Sequence, residues 1–236
     1  IGTLQAGFSE MSYLGETTEK ILRREALLGV SMTGIMENHE ICLDPDVQKE
    51  GAREVKKANK TLAKKIGINQ AARATCVKPE GTASCILGTS SGIHPHHAKR
   101  YIRRVQANKM EDIYQHFKKT NPRACEESVW SANDSDDVVA FCIEVPDGAK
   151  LKNKVGALDL LDCVKSTQKN WVMIGRTDSL CAQPYLQHNV SNTINVKPEE
   201  WDEVQAFIYK NRKYFCGVSL LPVSGDKDYP QAPFTT

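Results

Sequence analysis

The sequence predicts an α/β protein. Helical and strand-like segments alternate along it, the strand-like ones are short and apolar, and no internal repeat or low-complexity linker interrupts the pattern. Alternation of this kind argues for parallel strands joined through helices. The strand-like segments are Gly29 to Ile35, Ala74 to Lys78, Val138 to Val145, Asn189 to Val196 and Gly217 to Val223. They are expected to be neighbouring, mostly parallel strands with helices outside.

A helix is expected from Thr17 to Leu28. The clearest one begins at Asp44-Pro45, a carboxylate cap followed by proline at the first helical position. Val47, Val55, Ala58, Leu62 and Ile66 recur at helical steps along it, and Gly67 closes it. Lysines and arginines on its other face read as a solvated surface. Further helices are expected from Met110 to Lys119, from Ala157 to Ile174 and from Pro198 to Asn211, the last with Trp201, Val204 and Ile208 on one side. The stretch "NPRACEESVWSANDSDD" is polar, lacks periodicity and reads as an excursion before a strand.

With 236 residues, 40% of them hydrophobic and 25% charged, the composition is that of an ordinary soluble globular protein. A net charge of +2 gives no strong field toward nucleic acid or an anionic membrane. No apolar run approaches the roughly 18 residues that span a bilayer. Ile1-Gly2-Thr3-Leu4 has neither an initiator Met nor a basic region, and reads as a cut or processed start. The eight cysteines, at 42, 76, 85, 125, 142, 163, 181 and 216, contain no C-x-x-C pair. They fit scattered, mostly buried thiols in a reducing cytoplasm.

The stretch "VKPEGTASCILGTSSGIHPHH", Val77 to His97, carries the chemistry. Ala74 to Lys78 reads as a strand, Pro79-Glu80-Gly81 as a turn, and Thr82-Ala83-Ser84-Cys85-Ile86-Leu87 as a helix start. That layout exposes unpaired backbone N–H groups where the helix dipole favours an anion. Gly81 permits close approach, and Thr82 and Ser84 can add hydroxyl donors. Such turns are also plain connections, and Glu80 suits a phosphate only if it points away. His94, His96 and His97 could suggest a metal, but Pro95 breaks the spacing and no i, i+4 pair appears, so no metal is expected. Lys99, Arg100, Arg103 and Arg104, interleaved with Tyr101 and Ile102, could meet a nucleotide or nucleic acid. They read more simply as a solvated face.

Five landmarks resemble one family. "ATCVKPEGTASCILGTSSGIHPHHAKRYIRRV" resembles the late-barrel segment of ribonucleotide reductase catalytic chains, especially the adenosylcobalamin-dependent class II enzymes. "GTLQAGFSE" is similar to the stretch after the redox-cysteine strand, and "LLGVSMTGIMEN" to the segment before the long helix. "NVSNTINV" and "FCGVSLLPVSGDKDYPQAP" resemble the last two barrel strands. The landmarks run in order from residue 2 to residue 233.

The resemblance implies one domain over residues 1–236, the second half of a ten-stranded α/β barrel. It implies a phosphate-binding turn at Pro79, Glu80, Gly81, Thr82, Ala83 and Ser84, with a ribonucleotide as substrate. It also implies adenosylcobalamin as cofactor, thiyl-radical reduction to deoxyribonucleotides, and a partner supplying the missing N-terminal half of the barrel, in the same or a separate chain. No cysteine sits in the family's Asn-x-Cys-x-Glu setting, so no catalytic cysteine is assigned. Class I chains carry adjacent tyrosines on the last strand, whereas Ser219-Leu220-Leu221-Pro222-Val223 has none, which favours the cobalamin class. Diphosphate and triphosphate substrates both stay open, as does a homodimer. Neither a membrane nor a nucleic-acid partner is expected. Two alternatives remain: a non-catalytic nucleotide-binding remnant or scaffold, and an unrelated α/β protein binding RNA through Lys99 to Arg104. Near-neutral charge counts against the latter.

Overall fold

A computed structural model describes residues 1–81, 83–223 and 229–236. The helices are α1 (Gly2–Gln5), α2 (Glu16–Glu25), α3 (His39–Cys42), α4 (Pro45–Ile66), α5 (Ala83–Leu87), α6 (Asp112–Thr120), α7 (Ala157–Thr167) and α8 (Trp201–Lys210). The strands are β1 (Arg100–Asn108), β2 (Cys125–Glu127), β3 (Asp136–Glu144), β4 (Thr193–Val196), β5 (Ser219–Pro222) and β6 (Phe234–Thr235).

The α/β class holds, with mixed sheets. β4 and β5 pair in parallel, Ile194 opposite Leu220. Parallel bridges between Val77 and Val190 and between Val30 and Thr75 extend the pairing to a row of four segments. The ladder is continuous: Val77 N–H donates to Asn189 O at 3.1 Å, and Cys76 N–H to Val30 O at 3.0 Å. Four of the five expected segments therefore lie side by side, although 29–35 contributes only Val30 to the pairing.

The fifth segment, 138–145, departs from the expectation. It belongs to β3 in a separate antiparallel sheet ordered β2-β3-β1-β6, with Arg104 opposite Ala140. Its partner β1 is the run read from sequence as a solvated cation face. In β1 the charges become cross-strand and edge pairs. Arg100 meets Glu144 at 2.8 Å, Arg104 meets Glu126 at 3.5 Å, and Lys99, just before the strand, meets Asp147 at 2.6 Å.

The main core lies around β4, α4, α7 and α8 and contains Ile35, Met36, Val77, Ile93, Leu161, Val164, Trp171 and Ile194. α4 starts and stops where its sequence dictates. Asp44 Oδ1 accepts from the N–H groups of Asp46 (2.8 Å) and Val47 (2.9 Å), and Gly67 caps the end at φ 77°. Its buried face overlaps the expected one only in part: Val55 packs against the core and Leu62 is half-buried. Gln48, Ala52, Asn59 and Ala63 point inward, whereas Val47 is 50% and Ile66 38% exposed. Small or hydrogen-bonded side chains win because the neighbours approach closely. A Cβ on Gly51 would stand 3.1 Å from Trp171. Gln48 donates to Cys42 O (2.7 Å) and Thr167 Oγ1 (3.1 Å), and Asn59 donates to Thr3 Oγ1 (3.1 Å) while accepting from Ala71 N–H (2.9 Å).

The helix expected over 157–174 is α7 followed by a π-helical turn, Gln168–Val172. The turn brings Trp171 Nε1 to Cys76 O at 2.9 Å. Just beyond it, a Cβ on Gly175 would fall 1.8 Å from Thr75 Oγ1, so glycine is required there. No helix among the described residues is long and apolar enough to cross a membrane.

Candidate functional site

The stretch Val77 to His97 wraps one side of a cavity of about 400 Å³. Its walls include Gly81 from the turn, Tyr101 and Arg103 from β1, the start of α7 at Gly156, Asn195 from β4 and Phe234 from β6. The parallel row and the antiparallel sheet thus meet at this hollow. Loop 90–92 folds back tightly onto the end of the 74–78 segment. Gly92, at φ +56°, leaves only 2.7 Å between a notional Cβ and Lys78 O.

Of the six expected turn residues, Pro79 and Gly81 line the cavity. Glu80 is half-buried and Ala83 exposed, while Thr82 lies outside the described residues. Ser84 is 1% exposed and serves the turn itself. Its N–H donates to Glu80 O at 2.9 Å and its hydroxyl to Gly81 O at 3.3 Å. That corrects the expectation that Ser84 offers free donors to an anion. The N–H groups of Gly81 and Ala83 have no acceptor among the described residues. Arg103 Nη2 donates to Gly81 O at 2.6 Å, and its guanidinium lies 4.8 Å from the Phe234 ring centre. A cation therefore stands beside the turn.

The histidines are built into the walls. His94 donates from Nδ1 to Ser91 O at 3.1 Å and accepts at Nε2 from Thr193 N–H at 2.9 Å. Burial pushes its pKa below the ordinary value, consistent with a neutral ring linking the loop to β4. His96 has Glu37 at Nε2 (2.5 Å) and Tyr101 at Nδ1 (3.0 Å). His97 stacks on Phe234 with centroids 5.7 Å apart. Among the described residues no group of three or more His, Cys, Asp or Glu side chains is placed to hold a metal.

Sequence reasoning missed Glu37, Asn195 and Phe234, and treated Tyr101 and Arg103 as surface. The alternation in "RYIRRVQAN" was the available signal for the last two. Nothing local marked the others: Asn195 and Phe234 reach the cavity through tertiary packing, and Glu37 reaches it only through its contact with His96.

No protein-family model matches the chain. Pairwise comparison does find relatives. Over 94% of its length the chain is 24% identical to an adenosylcobalamin-dependent ribonucleoside-triphosphate reductase of Lactobacillus acidophilus, across 259 aligned residues. It is 26% identical over 257 residues to the enzyme of the same name from Lactobacillus delbrueckii subsp. bulgaricus. A probable enzyme of this kind from Dictyostelium discoideum is 23% identical over 226 residues. The chain resembles a segment of the cobalamin-dependent ribonucleotide reductases. That reductase-like segment spans about a third of the curated relatives it matches, 32% of the first two. A crystal structure of a B12-dependent, class II ribonucleotide reductase shares its fold, with a TM-score of 0.69 over 93% of this chain and 33% of that one, at 21% identity. The relatives' names agree with the class inferred from the tyrosine-free segment Ser219 to Val223 of the reductase-like chain.

Proposed function

We propose that the chain is part of an adenosylcobalamin-dependent ribonucleotide reductase and that the turn from Pro79 to Ser84 holds the substrate's phosphates. The observation that carries this reading is the position of Gly81: on the cavity wall, beside Arg103, with its N–H directed to no protein acceptor among the described residues. The donors are the N–H groups of Gly81 and Ala83 and the hydroxyl of Thr82. Ser84 keeps the turn closed. The relatives' names favour a triphosphate. In this reading residues 1–236 are one unit, the four parallel segments belong to a ten-stranded barrel, and the protein is cytoplasmic. The rest of the relatives' length, with the thiyl cysteine, is supplied by further polypeptide.

The cofactor would supply the radical that starts the reduction. The residues lining this cavity do not fit a corrin. The cavity of about 400 Å³ suits a nucleotide-sized ligand rather than a corrin ring with its nucleoside, so no residue of this chain is assigned to it. The test is reduction by the polypeptide that contains this chain, given adenosylcobalamin, a dithiol and a ribonucleoside triphosphate. Deoxyribonucleotide formed only with the cofactor is the expected result. Cofactor-independent reduction, or none with any of the four ribonucleoside triphosphates, contradicts the reading.

A further inference from the structure

We propose that Glu37, His96 and Tyr101 form a proton relay that opens on the cavity at Tyr101, serving a ligand that presents a hydroxyl group there. Glu37 precedes α3, His96 lies in the loop before β1, and Tyr101 lies on β1; the phosphate reading uses none of them. Glu37 Oε1 is 2.5 Å from His96 Nε2, and His96 Nδ1 is 3.0 Å from the Tyr101 hydroxyl. His96 is 2% and Tyr101 7% exposed, and both line the cavity. Ser90 N–H donates to the same Glu37 oxygen at 2.6 Å, which holds the carboxylate from a second side.

The polarity of the chain follows from its chemistry. A carboxylate only accepts hydrogen bonds, so a neutral His96 carries its proton on Nε2 and offers Nδ1 as an acceptor. Tyr101 then donates its O–H to Nδ1, which leaves the lone pairs of the phenol oxygen for the cavity. A ligand group X–H can donate to them. When that group gives its proton to the Tyr101 oxygen, the phenolic proton moves to His96 Nδ1. The products are X⁻ and an imidazolium whose Nε2–H stays on the Glu37 carboxylate. Tyr101 ends as a neutral phenol, nothing is oxidised and no co-reactant is consumed. Tyr101 is the group that meets the ligand, and Glu37 and His96 are positioning residues.

Two measurements on the full chain test this. Nitrogen NMR of the histidine rings reads the tautomer. At neutral pH His96 is expected to be protonated on Nε2, with a hydrogen-bonded Nδ1. Tyr101→Phe should move the Nδ1 signal toward that of a free ring nitrogen, and Glu37→Gln should mix the tautomers. A His96 protonated on Nδ1 in the parent overturns the relay. Calorimetry then compares ATP with inorganic tripolyphosphate, a choice of probes that rests on the ribonucleotide reading. Tyr101→Phe should weaken ATP about two- to tenfold and leave tripolyphosphate unchanged. Unchanged ATP affinity, or an equal loss for both probes as a purely bracing role would give, overturns it. Binding of neither probe by the parent contradicts the phosphate reading alone, and the tautomer measurement still decides the relay.

Discussion

The Arg103 guanidinium donates to the Gly81 carbonyl at 2.6 Å, so a strand of the antiparallel sheet fastens the turn at the end of a parallel segment. The same guanidinium covers the Phe234 ring at 4.8 Å, which ties β6 into the arrangement. Turn, sheet and C-terminal strand share one cation.

Arg103→Met should therefore loosen the turn and remove the charge beside it. Hydrogen bonds to charged groups are worth about 1.5–3 kcal/mol, so nucleoside-triphosphate affinity should fall at least about tenfold by calorimetry. Affinity equal to the parent's would remove Arg103 from the site.

Substitutions in the turn should separate ligand contacts from structural ones. Among the described residues a Cβ on Gly81 meets only Arg103 Nη2, at 3.7 Å, so Gly81→Val should fold yet obstruct the proposed anion site and weaken binding about tenfold or more. Thr82→Val should weaken binding. Ser84→Ala should instead lower stability by about 1 kcal/mol, because its hydroxyl is bonded within the turn. Denaturant titration beside calorimetry distinguishes the two patterns.

The inward face of α4 makes a contrast in stability. Asn59→Ala strands Ala71 N–H and the Thr3 hydroxyl, and should cost about 2–3 kcal/mol in urea unfolding. Val47→Ala, at an exposed position, should stay within about 0.5 kcal/mol. The reverse order would mean the helix is rotated from the face described.

Stability should fall in two separate steps as pH is lowered. Burial lowers the pKa of His94 and of His188 from 6.5. The unfolded chain therefore takes up protons first as pH drops below about 6.5, and stability present above that pH is progressively lost. For Glu25, burial raises the carboxyl, but hydrogen bonds from Arg24 and Arg73 outweigh it and the pKa ends below 4.5. Its contribution is lost only at more acid pH. Thermal melts of parent and His94→Gln should show the variant less sensitive between about pH 6.5 and 5 and equally sensitive below 4. Identical slopes in the upper window would remove His94 from the first step.

Much of the fold was legible where local chemistry decides it. Asp44, Pro45 and Gly67 mark both ends of α4, and four apolar segments find one another in parallel. What failed depended on partners distant in sequence. Arg100 is at the surface as read and pairs there with Glu144 opposite it, but Arg104 is drawn in by Glu126, which reaches it from β2 across β3. The buried Gln48 and Asn59 look polar until Thr167, Thr3 and Ala71 take their hydrogen bonds. The turn at Gly81 is readable from sequence as a candidate anion site, the assignment proposed above. The inward commitment of Ser84, and the relay through Glu37, His96 and Tyr101, depend on tertiary contacts that no local pattern announces.

The most direct measurement of the central claim is backbone amide NMR of the full chain titrated with a ribonucleoside triphosphate. The Gly81 and Ala83 amide signals should shift saturably, should shift similarly with inorganic tripolyphosphate, and should lose the response in Gly81→Val and Arg103→Met. Gly81 and Ala83 signals that stay still while nucleotide saturates resonances elsewhere on the chain would contradict the assignment of this turn to the phosphates.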